Sequence, residues 1–441
     1  MVDFTQLGSD INSIPNYKIY GLVTSVKGLL IEGEGLAGIA GIGARCLIEA
    51  HQNHKILCEV VGIENNKVKL IPYEDVQGIA AGNKIEFLSE QGNCFPHDSW
   101  LGRILNANAE PIDELGGIKF GNLAYNLKAH PPSSHKRRRV EGKLDLGIKS
   151  LNTFTTCCYG QRMGIFAGSG VGKSMLLAMI TKYSKADVKV IGLIGERGRE
   201  LKEFIEEYLG PEGLKNAVVI VATSDESPLL RKQAAFLSMS VAEYFRDQGK
   251  EVLLMMDSVT RFAMAQREIG LSCGEPPATK GYTPTVFSEL PKLLERAGPG
   301  TSEQGNITGL FSVLVEGDDT NEPISDAVRG ILDGHIILDR EIAERGRFPA
   351  INVLKSISRT MPGCNTKEEY ALVQKSRQIM ATYNDMNEII RIGAYKKGSD
   401  PEVDLSIKLQ PLFEDFLRQS PGDAFNFEYC YTEVEKILAN K

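Results

Sequence analysis

The segment AGSGVGKS, residues 167–174, places the strongest constraint on the fold, because this motif requires a strand before it and a helix after it. The apolar stretch RMGIFAG leads into the motif, and KSMLLAMITKYS, which has a helical pattern, follows. Glycines let successive backbone N–H groups surround phosphate oxygens, and the following helix turns its positive end toward them. The sequence therefore predicts a phosphate-binding loop formed by Gly168, Ser169, Gly170, Val171, Gly172, Lys173 and Ser174.

Two side chains of the motif have chemical roles beyond the backbone. Lys173 brings a mobile positive charge to the phosphates, and the hydroxyl of Ser174 is a ligand for Mg²⁺. The first position of the motif, usually glycine, is Ala167, but the three glycines that follow keep the loop flexible enough to wrap a phosphate.

Three hydrophobic patterns divide the chain. Residues 18–90 contain short alternating stretches separated by turn signals, typical of a small closed or partly closed barrel. Residues 150–360 alternate apolar strands with amphipathic helices, which predicts a mostly parallel sheet covered on both faces. From residue 366 the spacing is helical. We expect a short N-terminal segment (1–17), a β-barrel (18–90), an α/β domain (91–360) and a helical domain (361–441).

Composition and charge argue against several classes of protein. A net charge of −7 over 441 residues does not suit a nucleic-acid coat protein. No apolar run is long enough for a membrane span, and the N-terminus lacks the pattern of a secretory signal. The eight cysteines have no zinc-binding spacing, so we expect reduced thiols, with a vicinal Cys157–Cys158 disulfide as the alternative. The basic run HKRRRV (135–140) suits a solvated linker or, alternatively, a nucleic-acid or membrane contact.

Two carboxylates follow buried strands, where they can act on a bound phosphate. Asp257 ends EVLLMMD, and an acid there can hold the Mg²⁺ shell, although a helix N-cap is the alternative. Glu196 ends VKVIGLIGE, and the carboxyl ends of parallel strands face the ligand, so Glu196 can polarise an attacking water. Arg197 can contact the γ-phosphate, or else ERGRE (196–200) is a surface ion-pair cluster.

Arg359, in LKSISRTMPG, raises a separate question because it lies far beyond the phosphate-binding loop in the sequence. It follows the last predicted strand, which places it at the rim of the domain rather than over the loop of its own chain. A guanidinium group stabilises the charge that develops on a γ-phosphoryl group during transfer. An arginine at the rim can serve the nucleotide of a neighbouring subunit, and a C-terminal ion pair explains it equally well.

Longer segments resemble one family. They are WLGRILNANAEPID (100–113), GERGRE (195–200), LLMMDSVTRFAMAQREIGL (253–271), GEPPATKGYTPTVFSELPKLLERAG (274–298), GNITGLFSVLVEGDD (305–319), DGHIILDREIAERGRFPAINVLKSISR (333–359) and IRIGAYKKGSDPEVD (390–404). They are similar to segments of the catalytic subunits of the rotary ATP synthase superfamily. Within it the chain most resembles the flagellar type III protein-export ATPases, in which alanine is usual at the position of Ala167.

The resemblance implies a RecA-like P-loop NTPase domain between an N-terminal small β-barrel and a C-terminal helical domain, assembled as a homo-hexamer that hydrolyses ATP with Mg²⁺. By motif, Lys173 and Ser174 hold the phosphates and Mg²⁺, Asp257 supports the metal, and Glu196 is the catalytic carboxylate. Three further roles are implied by the resemblance. Arg197 and Arg261 match phosphate-side arginines, and Phe348 matches an aromatic ring that packs on adenine. Arg359 matches an arginine finger that reaches the site of the neighbouring subunit. A core position is the alternative for Phe348.

The resemblance also implies a biological setting. We expect hydrolysis to energise flagellar protein export, in the cytoplasm and peripheral to the inner membrane at the flagellar base. Expected partners are export-gate membrane proteins, a central stalk, regulator proteins and chaperone–substrate complexes, with no nucleic acid and no integral membrane segment. The loop GEPPATKGYTPTVF (274–287) is expected to face the central channel of the ring, unless it is a plain surface loop.

Three other functions share parts of this pattern. A virulence-type secretion ATPase would use the same chemistry. A true ATP synthase catalytic subunit would carry an acidic DELSEED-type helix, which is absent from the C-terminal third. A ring-shaped RNA translocase would need aromatic side chains in a basic setting on its barrel, and this sequence offers few.

Overall fold

The computed structural model describes residues 17–51, 54–315, 317 and 322–440. Apart from Tyr17, the predicted N-terminal segment lies outside these residues. The strands are β1 Tyr20–Lys27, β2 Leu30–Glu34, β3 Arg45–Glu49, β4 Lys55–Glu64, β5 Lys67–Pro72, β6 Lys84–Ser89, β7 Asn93–Cys94, β8 Ile104–Asn106, β9 Tyr125–Asn126, β10 Glu141–Lys143, β11 Cys158–Tyr159, β12 Arg162–Ala167, β13 Val188–Glu196, β14 Ala217–Thr223, β15 Val252–Asp257, β16 Gly298–Pro299, β17 Asn306–Leu314, β18 Gly334–Leu338 and β19 Ile357–Ser358.

The helices follow the same chain order. They are α1 Lys149–Phe154, α2 Lys173–Tyr183, α3 Gly198–Glu203, α4 Gly210–Leu214, α5 Pro228–Asp247, α6 Val259–Ser272, α7 Pro284–Leu294, α8 Pro323–Ile331, α9 Arg340–Glu344, α10 Met361–Cys364, α11 Lys367–Arg391, α12 Pro401–Leu417 and α13 Phe427–Ala439. A π-helical turn, Phe204–Leu209, joins α3 to α4, and short 3-10 turns occupy Asp98–Trp100 and Thr279–Gly281. Within the described part of the chain, no helix is both long and apolar enough to cross a membrane.

The first six strands close into the predicted barrel, in the order β1-β2-β5-β4-β3-β6. Alternate residues of each strand point inward, so that Ile48 of β3, Ile56 of β4 and Leu70 of β5 are buried together. Asn65 and Asn66 both have positive φ and join β4 to β5 in a tight hairpin, the turn that the sequence signal predicted.

The central domain is built on a nine-stranded sheet, and this confirms the predicted α/β core. Its order is β19-β18-β12-β17-β15-β13-β14-β8, with β16 paired to β17. All pairings are parallel except those of the short strands β16 and β19. Helices cover both faces, so β13 and β15 are buried along almost their whole length. The carboxyl ends of β12, β13 and β15 therefore meet at one edge of the sheet.

The C-terminal helices form their own core around Phe413, Leu409, Val434 and Ile379, which also packs against Phe154 of α1. Helix α11 begins with a capping box in which Thr366 and Glu369 satisfy each other's backbone N–H groups. Its buried face includes Val373, Ser376, Ile379 and Met380. The chain thus ends in a helical domain, as the sequence predicted.

The expectation of eight reduced thiols is wrong for one pair. Cys158 of β11 and Cys364 of α10 form a disulfide across a separation of 206 residues. Cys157 is a free, buried thiol, so the vicinal alternative is also wrong. Sequence spacing could not reveal the observed pair, because only the packing of α10 on the sheet domain brings the two sulfurs together.

The basic run is only partly solvated. Arg137 donates to the carbonyl oxygens of Pro132 and Glu295, and Arg138 donates to the carbonyl oxygen of Gln304 and to the side chain of Asn306. These two arginines tie the connector to the sheet domain. The run is otherwise solvated as predicted, because His135, Lys136, Arg138 and Arg139 are exposed and, of the basic residues, only Arg137 is partly buried.

A buried ion pair holds α7 against α5 and generates a stability prediction. The side chain of Arg296 is 0% exposed and that of Glu243 is 4% exposed, and their closest atoms are 2.7 Å apart. Arg296→Ala leaves an unpaired buried carboxylate, so we expect a loss of about 3–5 kcal/mol in the free energy of unfolding, measured by chemical denaturation. As a control, Arg345→Ala removes an exposed pair with Glu341 and should change stability by less than about 1 kcal/mol. Equal stability of the two variants would contradict the prediction.

Candidate active site

The predicted phosphate-binding loop connects β12 to α2 at the carboxyl edge of the sheet. Gly170 and Gly172 have φ of +78° and +87°, a backbone conformation that is strained for other residues. Val171 is buried and anchors the loop in the core. Lys173 and Ser174 begin α2, whose first N–H groups have no partner within the helix and are available to an anion.

Lys173 and the two predicted carboxylates lie together beside this loop. The ammonium group of Lys173 pairs with Asp257, and its Nζ is 3.9 Å from Oε1 of Glu196. The hydroxyl of Ser312 donates to Asp257 as well. Ser258, not Asp257, caps the next helix, because its Oγ accepts from the N–H of Arg261. The capping alternative for Asp257 is therefore wrong.

Glu196 occupies a position that the backbone prepares. The pairing of β13 with β14 shifts by one residue between Ile194 and Glu196, and Gly195 at this bulge has φ of +69°. Oε1 of Glu196 is buried and accepts no hydrogen bond from any described residue. Burial and the negative charge of Asp257 raise the pKa of Glu196, while Lys173 and Arg261 oppose that shift. Such an oxygen can accept a hydrogen bond from a water and polarise it.

The donor set beside the loop fits magnesium. The hydroxyl of Ser174 and the carboxylate of Asp257 are hard oxygen ligands, and Mg²⁺ in phosphate sites takes only one or two protein groups, with phosphates and waters as the rest. Ser174 is exposed in the cleft, and Asp257 is buried next to it, paired with Lys173.

The two predicted phosphate-side arginines differ in position. Arg261 lies on α6 against Gly195, close enough to influence the pKa of Glu196. Arg197 has a side chain that is 78% exposed and forms an ion pair with Glu200 at 3.5 Å. Arg197 also lines the cleft that holds the phosphate-binding loop. Its ion pair agrees with the surface alternative, and its contact with a phosphate stays a prediction.

Phe348 lies on the other side of the loop. Its side chain is 45% exposed, which excludes a core position. A Cβ atom on Gly172 would be 3.4 Å from the ring, so Phe348 flanks the phosphate-binding loop. An exposed ring beside this loop can pack on a planar base.

Arg359 lies away from the phosphate-binding loop of its own chain. It follows the edge strand β19, and its N–H donates to the carbonyl oxygen of Asp333, at the start of β18. The loop is level with the other end of β18, because Ala167 pairs with Leu338. At about 3.3 Å per residue, the five steps from Asp333 to Leu338 span roughly 16 Å. The backbone of Arg359 therefore lies about that far from the end of β18 that is next to the loop. Arg359 is exposed, and its side chain has no hydrogen bond or ion pair with another described residue.

The sequence analysis missed some residues of the cleft, which has a volume of about 660 Å³. Arg340 of α9 donates to the carbonyl oxygen of Ser169 in the phosphate-binding loop at 3.3 Å. Tyr208, in the π-helical turn, also lines the cleft and donates to Glu203. Arg340 lies in the family segment 333–359, but the motif assigned it no role, and Tyr208 lies outside the family segments, so the folded chain was needed to place both in the cleft.

A phosphate-binding loop with acids at the ends of two neighbouring parallel strands defines a P-loop nucleoside triphosphatase. Family models match the β-barrel domain of the ATP synthase alpha/beta family at residues 23–89, its nucleotide-binding domain at 147–358, and the C-terminal domain of the type III secretion ATPase EscN at 365–436. The chain belongs to the ATP synthase alpha/beta family, in the branch of the flagellum-specific and type III secretion ATPases.

Individual relatives support this assignment over nearly the whole chain. The chain is 55% identical to the flagellum-specific ATP synthase of Caulobacter vibrioides and 47% identical to that of Bacillus subtilis, over 98% of both chains in each case. A solved structure of the assembled ATPase EscN, from the type III secretion system of enteropathogenic E. coli, matches with a TM-score of 0.89 and 41% identity, over 95% of this chain and 100% of that chain. The same ATPase in complex with its central stalk EscO matches with a TM-score of 0.86.

The bulge at Gly195 generates a testable prediction. A Cβ at this position would lie 2.8 Å from Cβ of Arg261, and the positive φ would be strained. Gly195→Ala should therefore displace both Glu196 and Arg261 and lower the hydrolysis rate by roughly 10²-fold. Gly198→Ala is the matched control, because a Cβ there meets no atom within 4 Å. A Gly195→Ala variant with the wild-type rate would show that the bulge does not position the site.

Proposed function

We propose that this chain hydrolyses ATP with Mg²⁺ in a homo-hexameric ring, and that hydrolysis energises protein export through the flagellar type III apparatus. The ATPase activity follows from the family. The observation that carries the proposed site is the cluster of Lys173, Asp257 and Glu196 beside the phosphate-binding loop. The higher identity to flagellum-specific relatives than to EscN favours the flagellar setting over a virulence-type one.

Each residue of the cluster has a distinct role in this proposal. The loop and Lys173 hold the β- and γ-phosphates of ATP, and the hydroxyl of Ser174 and the carboxylate of Asp257 would hold Mg²⁺. Bound there, Mg²⁺ neutralises charge on the phosphate oxygens. Glu196 accepts a hydrogen bond from the attacking water and aligns it with the γ-phosphorus. Arg261 adds positive charge next to Glu196, and Phe348 packs on adenine.

Arg359 completes the site of a neighbouring subunit in this proposal. Support comes from its exposed position at the far end of β18 and from the lack of a partner for its side chain among the described residues. A guanidinium group that enters a γ-phosphate site from outside stabilises the transition state of transfer. Hydrolysis would then require assembly of the ring.

The partners are proposed on the same basis. The EscN relative assembles and binds a central stalk, so we propose a ring and a stalk-like partner for this chain. Export-gate membrane proteins, regulator proteins and chaperone–substrate complexes complete the proposed partner set. The proposed location is the cytoplasm, peripheral to the inner membrane at the flagellar base.

Two substitutions test the roles of the cluster. Lys173→Ala should abolish hydrolysis and weaken ATP binding, because the cationic phosphate contact is removed. Glu196→Gln should abolish hydrolysis but still bind ATP, since the amide keeps the shape of the side chain without its basicity. Steady-state hydrolysis and equilibrium binding of ATP measure the two effects separately. If Glu196→Gln also lost ATP binding, the water-orienting role would be wrong.

Arg359 is tested by subunit mixing. Arg359→Ala should lower hydrolysis by about 10³-fold or more, while Arg345→Ala, at an exposed surface pair, should not. Mixing inactive Arg359→Ala chains with inactive Glu196→Gln chains should restore activity. Some interfaces then combine an intact Glu196 with an intact Arg359 from the neighbour.

The same shared-site idea predicts that specific activity rises with protein concentration as subunits assemble. Activity that stays constant down to monomer concentrations, with no recovery in the mixture, would rule out a site shared between chains.

A further inference from the structure

One glutamine of the C-terminal helical domain, Gln419, contacts the backbone of Phe348, the residue proposed to pack on adenine. Gln419 follows α12 and is only 5% exposed. Its Nε2 donates to the carbonyl oxygens of Gly147 and Asp423, at 2.8 and 2.9 Å, and its Oε1 accepts from the N–H of Lys149 at 2.9 Å. With its side chain fixed in this way, the backbone N–H of Gln419 donates to the carbonyl oxygen of Phe348 at 2.9 Å.

A second connection reaches the same loop from α12. Arg347 is 5% exposed and donates to the carbonyl oxygens of Pro349 and Ile351, at 3.2 and 3.1 Å. Its Nε lies 2.9 Å from a carboxylate oxygen of Glu414, whose side chain is 44% exposed. Arg347 therefore fixes the backbone around Phe348 and joins it to a carboxylate of the C-terminal domain.

These connections matter because the Phe348 ring has little support of its own. Nearly half of the side chain is exposed, and the ring belongs to none of the hydrophobic clusters formed by the described residues. Its position over Gly172 is therefore set by the backbone of residues 347–349 and by what holds that backbone. The sheet domain holds this backbone at Arg347, whose N–H donates to the carbonyl oxygen of Ile342 at 3.3 Å. The C-terminal domain holds it at Phe348 through Gln419 and pairs with the side chain of Arg347 through Glu414.

We propose that Gln419 and the Arg347–Glu414 pair are positioning residues for Phe348, so that the C-terminal domain sets the affinity for the base of the nucleotide but not for its phosphates. This inference rests on the proposed packing of Phe348 on adenine. The residues that line the phosphate end of the cleft all come from between Ala167 and Arg340, within the sheet domain. The phosphate end is thus built by the sheet domain alone, whereas the position of the base contact depends on the C-terminal domain.

The proposed coupling between the position of α12 and the affinity for the base works in both directions. If the position of α12 changes the affinity for the base, then a bound base must bias the position of α12 by the same free energy. The contacts from α12 through Glu414 and Gln419 to Phe348 give this coupling a short, defined route.

The experiment separates the base from the phosphates. Glu414→Gln, Gln419→Ala and Phe348→Ala are compared with the wild type and with Glu433→Gln, a control that removes a surface ion pair with Lys436 in the same domain. For each protein, at one concentration, the KM for ATP, kcat, and the inhibition constants of ADP and of inorganic tripolyphosphate are measured. Tripolyphosphate carries the phosphate chain and no base.

Glu414→Gln and Gln419→Ala should raise the KM for ATP and the inhibition constant of ADP by about three- to tenfold, the usual effect of one lost polar contact. The inhibition constant of tripolyphosphate and kcat should stay within about twofold, because the phosphate end is unchanged. Glu433→Gln should match the wild type in every constant.

Other results would overturn the inference. If Glu414→Gln and Gln419→Ala weakened the binding of ADP and of tripolyphosphate equally, the whole cleft would be distorted. If these variants bound ADP as the wild type does, while Phe348→Ala weakened the binding of ADP but not of tripolyphosphate, the positioning role would be rejected and the proposed function would stand. If Phe348→Ala did not weaken the binding of ADP relative to tripolyphosphate, the adenine contact and the inference would both be rejected. If Gln419→Ala does not fold, Glu414→Gln decides alone, since its half-exposed side chain can be changed without creating a cavity.

Discussion

The active site depends on the contact between Lys173 and Asp257, with Glu196 next to it. All three side chains are largely buried, and a single buried charge is strongly unfavourable without a partner. The lysine offsets the two carboxylates, yet two negative charges remain against one positive charge, with Arg261 nearby. Burial of Glu196, together with the negative charge of Asp257, raises the pKa of Glu196, which suits the proposed role of its carboxylate as a base that acts on a water.

The sheet brings these charges together without any long-range signal in the sequence. Parallel strands all end at the same edge, so β12, β13 and β15 deliver the phosphate-binding loop, Glu196 and Asp257 to one cleft. The fold and these residues could therefore be predicted from the sequence. Each prediction needed only a local motif and the knowledge that the strand before it is buried and parallel.

The predictions failed where the geometry depends on contacts between distant segments. Arg340 contacts Ser169 only when the sheet domain folds, and Gln419 and the Cys158–Cys364 disulfide form their contacts only when the domains pack, because each contact joins residues far apart in the chain. A hydrogen-bonded glutamine has no periodicity or motif, so the sequence carries no sign of its role.

One domain forms the phosphate end of the cleft, whereas two domains contribute to the proposed base end. The phosphate end is formed by strand ends and a helix start of the sheet domain, which fixes it rigidly. At the proposed base end, the exposed ring of Phe348 has a backbone that the C-terminal domain contacts. Under the proposed function, the γ-phosphate also needs Arg359 of a neighbouring chain. Under the same proposal, a bound nucleotide would contact the sheet domain and the neighbouring chain directly, and it would be linked to the C-terminal domain through the backbone of Phe348. Because the affinity would then depend on the relative positions of these three units, ATP binding and hydrolysis would bias domain and subunit movement.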